Sequence, residues 1–385
     1  MKTLENGKAL LRKAASIALL LCITVQCENY SSASVRIPDG KKKSIKLAIL
    51  LDTSNSMDGL IDQAKSQLWT IVNELGKATC NREKPDLKIA LYEYGNDNLP
   101  QSEGFIRLVC PLTNDLDRIS AALFALRTNG GQEYCGQVIQ TALKEQDWNI
   151  ANGDYQVVFI AGNEPFNQGS YDFRESCAQA RKKGVVVNTI FCGDFDEGIS
   201  TNWKDGALLT GGDYCSIEQN RKTVYIESPW DKRIVELNQR LNDTYVYYGK
   251  SGYEKKEMQA AQDVNAASMG SGNLVGRAVS KSSHVYENSS WDLVDATKNK
   301  QVAVAGIKVD DLPSEMKNMS VSERENYVKQ KSEEREKIQQ EISLLNQKRE
   351  QYIRQQQISS TGQEMLDNAI LNSIRKQGQN MGFAF

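Results

Sequence analysis

Apolar residues in the first two thirds of the chain alternate between short continuous runs and runs at helical spacing. The stretch Ile45–Leu51 is almost entirely apolar and ends at Asp52, which is typical of a strand buried on both faces. Apolar positions from Met57 to Leu75 then recur with the period of an α-helix, and Gly76 is placed to end that helix. This first strand and helix predict the opening unit of an α/β fold.

The same alternation continues to about Tyr248. Further strands are predicted at Leu87–Tyr94, Phe105–Val109, Tyr155–Ala161 and Val185–Phe191, and further helices at Asp115–Leu126, Val138–Lys144, Tyr171–Lys183 and Pro229–Leu241. Alternating elements of these lengths predict a doubly wound, mostly parallel sheet. We assign this α/β domain to residues 45–248.

The last third of the chain has a different composition. Residues 249–319 are rich in Gly, Ser, Asn and Ala, and they are predicted to form an irregular linker. Glycines between positions 270 and 276 do not have the spacing of a dinucleotide-binding loop. Residues 320–385 are charged and helical in pattern, and they begin with a capping box at Ser322–Glu325. A helical tail is therefore predicted after the linker.

The helical tail has an apolar seam with the spacing that suits one partner helix. The seam consists of Ile338, Ile342, Leu345 and Tyr352. A second helix is predicted at Glu364–Lys376. We favour an antiparallel hairpin that folds across Ser359–Gly362. The alternative is a coiled-coil-like self-association of the tail between two chains.

The N-terminus has the pattern of an export leader at residues 1–27. Basic residues precede the apolar run Ala14–Val25, which is shorter than the about 20 residues that cross a bilayer. Residues 28–44 are predicted to link this leader to the folded domain. We therefore expect a protein that is periplasmic, attached to the outer membrane as a lipoprotein, or secreted.

Two ways of processing the leader are compatible with the sequence. Residues 24–27 resemble a bacterial lipoprotein box, in which Cys27 would carry the lipid, although Gln26 stands where a small residue is usual. Ordinary cleavage near Cys27 or Ala33 is the alternative. Contact with a membrane is expected only through such a lipid anchor.

Charge and composition exclude several functions. Lys and Arg total 47 and Asp and Glu total 49, so the formal charge is −2, and no basic cluster with interleaved aromatics suggests a nucleic-acid partner. The single histidine, His284, has no nucleophile motif beside it, which argues against a Ser–His or Cys–His enzyme and against a structural zinc site. An even number of cysteines follows the leader, and Cys177 with Cys192 is our first-choice disulfide. Buried free thiols are the alternative.

Candidate chemistry is concentrated in the segment Asp52-Thr-Ser54-Asn-Ser56. It directly follows a buried strand and directly precedes a helix, and ligands of doubly wound sheets bind at the carboxyl ends of the strands. One carboxylate and two hydroxyls supply hard oxygen ligands of the kind that Mg²⁺ prefers. A cation held by so few protein ligands keeps a coordination position for a carboxylate from a partner.

Residues 50–57 resemble the metal-ion-dependent adhesion site of von Willebrand factor A domains, which have a Rossmann-like fold. The resemblance covers roughly residues 46–241. It implies that Asp52, Ser54 and Ser56 bind Mg²⁺, or alternatively Mn²⁺ or Ca²⁺.

Two other elements of the family are altered in this sequence. The family places a Thr after paired glycines before its third helix, whereas here Gln132 and Glu133 follow the glycines. The family also ends its fourth strand with an Asp, and here Gly162 stands at that position with Glu164 two residues later. We expect Glu133 to be the fourth metal ligand, and Gln132 and Glu164 to lie at the rim.

These features favour a protein-binding module that uses the cation to engage another protein outside the cytoplasm. The alternative is a structural scaffold with a decayed metal site and an oligomerising tail. A metal-assisted hydrolase is the weakest hypothesis, because such sites need several carboxylate or His ligands and a proton acceptor.

Overall fold

A six-stranded sheet lies at the centre of the chain. The computed structural model describes residues 42–148, 153–221, 225–356 and 366–385. The predicted leader, its Cys27 and all but the end of the predicted 28–44 linker lie outside these residues. The strands, in chain order, are β1 (Ser44–Asp52), β2 (Thr79–Cys80), β3 (Asp86–Tyr94), β4 (Ile106–Thr113), β5 (Tyr155–Gly162), β6 (Val186–Phe191), β7 (Tyr214–Ser216) and β8 (Phe383–Ala384).

The strand order within this sheet is β4-β3-β1-β5-β6-β7. The pairs on either side of β1 are parallel, as are β5 with β6 and β6 with β7, whereas β4 runs antiparallel to β3 at one edge. The short strands β2 and β8 form a separate antiparallel pair. From β1 the chain first adds strands on one side of the sheet, β3 and β4, and then on the other side, β5, β6 and β7. The carboxyl end of β1 is therefore the switch point of the topology, which is where doubly wound sheets bind ligands.

Helices cover both faces of the sheet. In chain order they are α1 (Asp58–Leu75), α2 (Leu116–Ala125), α3 (Cys135–Glu145), α4 (Phe173–Lys182), α5 (Phe195–Ser200), α6 (Trp203–Leu208), α7 (Asp231–Asn242), α8 (Gly252–Ser268), α9 (Ser271–Lys281), α10 (Leu293–Lys298), α11 (Ser314–Lys317), α12 (Val321–Gln356) and α13 (Leu366–Asn380). Side chains of β1 alternate between two hydrophobic clusters, as the period of a strand requires. Leu47 and Leu51 belong to the cluster with α1, α2, α7, α9 and α13, and Ala48 and Leu50 to the cluster with α3, α4 and α6. The predicted doubly wound, mostly parallel α/β fold is confirmed.

The prediction of an irregular linker at residues 249–319 is wrong. Helices α8, α9 and α10 lie there, with α9 packed on α1 and α7, and α8 packed on α2. Their buried positions include polar side chains such as Gln259, Gln262 and Arg277. Because these helices bury polar groups and small residues, their sequence has no strong apolar period. The helical pattern is therefore hidden.

The predicted tail at 320–385 is part of the same folded body. Ile338 and Ile342 of the predicted seam are buried in the cluster that contains α1, and Leu345 packs against that cluster. Tyr352 lies edge-on to Trp230, with ring centroids 6.0 Å apart. The seam is thus covered by helices of this chain rather than by a second chain.

The two tail helices have different partners. Helix α12 packs mainly on α7, α9 and α10, whereas α13 packs mainly on α1 and β8 and also contacts β6. The described parts of the two helices do not form the predicted hairpin, and its turn at Ser359–Gly362 lies outside the described residues. None of the helices within the described ranges is both long and apolar enough to cross a bilayer.

The predicted disulfide between Cys177 and Cys192 is not formed. Both thiols are free, and they belong to different hydrophobic clusters. Cys177 lies on α4 against one face of the sheet, and Cys192 follows β6 with its side chain on the other face. The two thiols therefore lie on opposite faces of the sheet, which cannot be deduced from the short distance between the helix and the strand in the sequence.

A buried arginine attaches α12 to the helices after the α/β domain. The Arg335 guanidinium, with 4% of its side chain exposed, donates to Asp292 Oδ2 at 2.6 Å, to Asp295 Oδ1 at 2.7 Å and to Thr244 O at 2.7 Å. Burial and the neighbouring Asp292 raise the pKa of Asp295 to about 6, against the opposing effect of Arg335. Two buried carboxylates therefore depend on one cation.

We expect Arg335→Ala to lower the free energy of unfolding by about 3–5 kcal/mol, because it leaves two buried carboxylates without their counter-ion. Urea denaturation at neutral pH measures this. Arg354→Ala on the same helix is the matched control, since Arg354 is exposed and makes only a 3.8 Å ion pair with Glu350, and it should change stability by less than about 1 kcal/mol. Equal effects of the two substitutions would show that the network is not structural.

Candidate metal centre

The predicted metal loop lies at the carboxyl end of β1. Asp52 is the last residue of that strand, and its Oδ1 accepts a hydrogen bond from the Ser54 N–H at 2.8 Å. The hydroxyls of Ser54 and Ser56 are 3.2 Å apart, and the Ser56 hydroxyl donates to Asn163 Oδ1 at 3.4 Å. A short 3₁₀ turn, Asn55–Met57, then leads into α1. The local fold brings the three predicted oxygen ligands into one loop.

Hydrogen bonds to neighbouring loops fix the buried side of the metal loop. The Thr53 N–H donates to Tyr94 O at 2.8 Å, and Thr53 O accepts from the Asn129 N–H at 3.0 Å. Asn96 donates from Nδ2 to Arg127 O at 2.8 Å and approaches Thr53 O at 3.4 Å. These bonds connect the loops that follow β1, β3 and α2, so the conformation of residues 52–56 is fixed from outside the loop.

Glu133 lies beside Asp52, as predicted. A Cβ atom added to Gly95 would lie 2.8 Å from Glu133 Cγ and 2.9 Å from Asp52 Oδ1, so both side chains pack against the same glycine. Gly95 has φ +75°, which favours glycine, and the absence of a side chain lets the two carboxylates approach. Ser54 hydrogen-bonds the Glu133 carboxylate, and the Glu133 N–H donates to Gln168 Oε1 at 2.6 Å. The structure therefore brings Asp52, Ser54, Ser56 and Glu133 together.

Two buried acidic side chains lie close together in the site, and among the described residues neither forms an ion pair with a basic side chain. Asp52 is fully buried, and its Oδ2 has no hydrogen-bond partner within the described residues. Burial, opposed by the Ser54 N–H and assisted by Glu133, raises the pKa of Asp52 to about 8. Burial and the nearby Glu164 raise the pKa of Glu133 to about 7. A buried carboxylate that resists ionisation is stabilised by a bound cation.

The donor set fits a divalent cation of the Mg²⁺ type. Asp52, Ser54, Ser56 and Glu133 offer two carboxylates and two hydroxyls, which are hard oxygen ligands. Asp52 Oδ2 is an orphaned buried acceptor, and Ser56 is exposed, so the loop faces outward on one side. No group of three or more His, Cys, Asp or Glu side chains in the described part of the chain is arranged to hold a metal. The hydroxyls are therefore needed to complete a metal site here.

Residues 46–199 match the family model of the von Willebrand factor type A domain. This part of the chain is a von Willebrand factor A domain. The match runs from β1 into α5 and includes the whole candidate metal centre.

Solved structures similar to the chain include A domains of diverse origin. The conserved hypothetical protein BatB from Bacteroides thetaiotaomicron is 16% identical over 45% of this chain and 90% of its own, with a TM-score of 0.35. The SpRpn10 VWA domain is 18% identical over 45% of this chain and 88% of its own, with a TM-score of 0.34. The pilus adhesin SpaC from Lactobacillus rhamnosus GG is 14% identical over 46% of this chain and 28% of its own, also with a TM-score of 0.34. A search of curated proteins finds no match.

Gly162 in this A domain stands where the family pattern has an Asp, and the structure explains why glycine is needed. A Cβ atom there would lie 2.6 Å from the Tyr94 hydroxyl and 3.0 Å from Asp52 Oδ2. Tyr94, which donates to Ala161 O at 3.0 Å, fills the space that a larger residue would take. Two other carboxylates, those of Glu133 and Glu164, lie near enough to raise the pKa of Asp52.

The two predicted rim residues have different surroundings. Glu164 is half-buried and lies close enough to raise the pKa of both Asp52 and Glu133. Gln132 is exposed and accepts a hydrogen bond from the Tyr134 hydroxyl rather than contacting the metal loop. Glu164 thus belongs to the rim of the site, and Gln132 does not.

Asn163 and Asp97 also lie at the site and are not predicted from the sequence. Asn163 contacts Ser56 from the end of β5, and Asp97 contributes to the raised pKa of Glu133 from the loop after β3. Both positions follow strands adjacent to β1, so the rule that ligands bind at the carboxyl ends of the strands could have found them.

We expect Asp52→Asn to stabilise the A domain in EDTA at pH 8. The folded-state pKa of Asp52, about 8, lies above its ordinary value of 3.8. Protonation of Asp52 therefore contributes fully to the free energy of unfolding below about pH 4. That contribution is lost as the pH rises through 8, because the buried carboxyl must then ionise. The amide cannot ionise, so the variant should melt several degrees higher than the wild type at pH 8 and at nearly the same temperature at pH 4.

The effect of magnesium on the melting temperature should also differ between the wild type and Asp52→Asn. Saturating MgCl₂ should raise the melting temperature of the wild type at pH 8 and leave that of Asp52→Asn unchanged. Differential scanning calorimetry at both pH values measures this. A variant that is less stable than the wild type in EDTA at pH 8 would contradict the charge burial described here.

Proposed function

We propose that the chain is an extracytoplasmic protein-binding module whose A domain engages a partner through a divalent cation. The residues that would hold the cation are Asp52, Ser54, Ser56 and Glu133. When bound, the cation would supply a positive coordination position that a carboxylate of the partner can complete. The observation that carries the proposal is the buried, unpartnered Asp52 Oδ2 beside a second buried carboxylate, within the part of the chain that the structure describes.

Each side chain has a distinct role in this proposal. Asp52 provides the buried charge, and the Ser54 N–H fixes the orientation of its carboxylate. Glu133 adds a second charge from another loop, and Gln168 holds the backbone at Glu133. Ser56 is exposed and lies at the side from which a partner can approach. The family supports the general function, since A domains commonly mediate contacts between proteins.

Export of the protein is part of the proposal and rests on the leader pattern at residues 1–27. That segment lies outside the described residues, as does the candidate lipidation site Cys27. Mass spectrometry of the mature N-terminus distinguishes a lipidated Cys27 from ordinary cleavage.

The scaffold alternative is weakened by the packing of the tail. It required the seam on α12 to be available for a second chain, and Ile338 and Ile342 are buried against this chain instead. A hydrolase is also weaker than a binding module. The raised pKa of Glu133 would suit a proton acceptor, but that same carboxylate is needed as a metal ligand.

We expect wild-type protein to bind Mg²⁺ in isothermal titration calorimetry at pH 8, and Glu133→Gln to bind it at least about tenfold more weakly. The reason is that the amide keeps the shape of the side chain and loses its negative charge. Glu103→Gln, an exposed change outside the site, is the control and should bind as the wild type does. The outcome that would falsify the ligand assignment is an unchanged affinity in Glu133→Gln.

The partner is tested by affinity capture from a periplasmic and membrane extract. Proteins captured by the wild type in MgCl₂ should be absent in EDTA and absent when Ser54→Ala/Ser56→Ala is the bait, because both treatments remove the cation. Ser290→Ala, at an exposed position elsewhere, should capture the same set as the wild type. Identical captured sets with and without EDTA would argue against a metal-bridged contact.

A further inference from the structure

A groove runs alongside the metal loop. It lies between the first two turns of α1, residues 124–128 after α2, and the turn between α8 and α9 at residues 265–269, and its volume is about 540 Å³. We propose that this groove, called here the side groove, binds a second acidic side chain of the same partner polypeptide whose first carboxylate reaches the metal site. The proposal rests on the proposed function and names the chemistry of the segment that the partner presents.

The side groove is continuous with the metal loop. Asn96 donates to Arg127 O in one wall of the groove and approaches Thr53 O in the metal loop. Thr128 donates to the Asp58 carboxylate, and Asp58 is the first residue of α1. The exposed Ser56 of the metal loop lies only two residues before Asp58, which lines the groove, so the groove begins beside the exposed side of that loop.

Two cations, Lys65 and Arg127, line the groove, and Lys65 stands farther along α1 from the metal loop than Asp58 and Asp62 do. Lys65 is half-buried over the Phe124 ring, with its Nζ 5.9 Å from the ring centroid, and it has no carboxylate at ion-pair distance among the described residues. Arg127 donates from Nη1 to Phe124 O at 3.0 Å and to Leu126 O at 2.7 Å. Its remaining N–H groups make no hydrogen bond to the described part of the chain, so they remain available to a carboxylate.

The acidic residues of the groove lie nearer the metal loop. Asp58 and Asp62 precede Lys65 on the same face of α1, at the spacing of successive turns. Both affect the pKa of Lys65, whose lowering is caused mainly by burial. They disfavour a negative side chain between the metal loop and Lys65 and so confine the second acidic side chain to the Lys65 end of the groove.

The helix geometry fixes the separation of the two carboxylates. Asp58 and Lys65 are seven residues apart, which is about 10 Å along the helix axis, and the 3₁₀ turn adds a few ångströms. An extended peptide advances about 3.3 Å per residue. The partner segment should therefore carry its two acidic residues about four positions apart, with uncharged residues between them.

The third wall of the groove comes from outside the A domain match. Asn265, Ser268 and Met269 belong to α8 and the turn that follows it, whereas the family match ends at residue 199. A surface built partly by this addition gives the chain a selectivity that the metal loop alone does not supply.

A set of synthetic dodecapeptides tests the proposal with the full chain in MgCl₂. The peptides carry one Asp, or two Asp separated by each spacing from one to eight residues, in a background of Gly, Ser and Ala. We expect the wild type to bind two-Asp peptides at least about fivefold more tightly than the one-Asp peptide, with an optimum near a separation of four. Lys65→Met/Arg127→Met should lose this preference and retain its binding of Mg²⁺ and of the one-Asp peptide. Arg181→Met/Lys182→Met, on exposed positions of α4, is the charge-matched control.

The outcomes separate the two proposals. Peptide binding that depends on Mg²⁺ but is equal for the wild type and Lys65→Met/Arg127→Met overturns the side groove and leaves the proposed function standing. No Mg²⁺-dependent binding of any peptide overturns both. A preference for phosphoserine over Asp at the second position shows that the groove selects phosphate and overturns the assignment of a carboxylate.

Discussion

The structure depends on one electrostatic constraint at the edge of its sheet. Asp52 ends the central strand with its carboxylate fully buried, and Glu133 is placed against it through the open backbone of Gly95. Two acidic side chains that are both buried are stable only when they are protonated or when a cation is bound beside them. The surrounding loops are tied together by Asn96 and Thr53, so the protein cannot relieve the repulsion by moving one carboxylate away. The proposed affinity of the loop for a cation would thus be a consequence of its rigidity.

Local periodicity is sufficient to predict the A domain. The strands β1, β3, β4, β5 and β6 are each predicted within a few residues of their observed bounds, because strands buried on both faces leave an apolar run that is visible without knowledge of the fold. The two-residue strand β2 is too short to leave such a run. The metal loop is predictable for a similar reason, since its oxygen donors lie close together in sequence. Asn163 was missed because it enters from a neighbouring strand, and its role is visible only once the strand order is known.

Periodicity did not predict the helices within residues 249–319, and for residues 320–385 it predicted helices but not what those helices pack on. Arg277 is fully buried on α9 and forms ion pairs with Asp117 of α2 and Asp263 of α8, so charged residues occupy positions that a sequence pattern would assign to solvent. The same holds for Arg335 on α12. These helices are held by specific ion pairs and hydrogen bonds rather than by a continuous apolar stripe. A composition that suggests a linker is therefore compatible with a packed helical layer.

The place of the last helix affects how the whole protein acquires its fold. Helix α13 covers the face of the sheet beside α1, where Gln377 hydrogen-bonds Tyr155 and Asn188, and β8 pairs with β2 near the end of α1. The segment 46–199 therefore holds most of the sheet but only part of the cover that this sheet requires. During synthesis, the side of β1 and β5 that faces α1 stays partly uncovered until residues 366–380 have been made. Such long-range closure slows folding and leaves apolar surface exposed in the meantime, so a shortened chain that retains the metal loop would be expected to aggregate before it could bind anything.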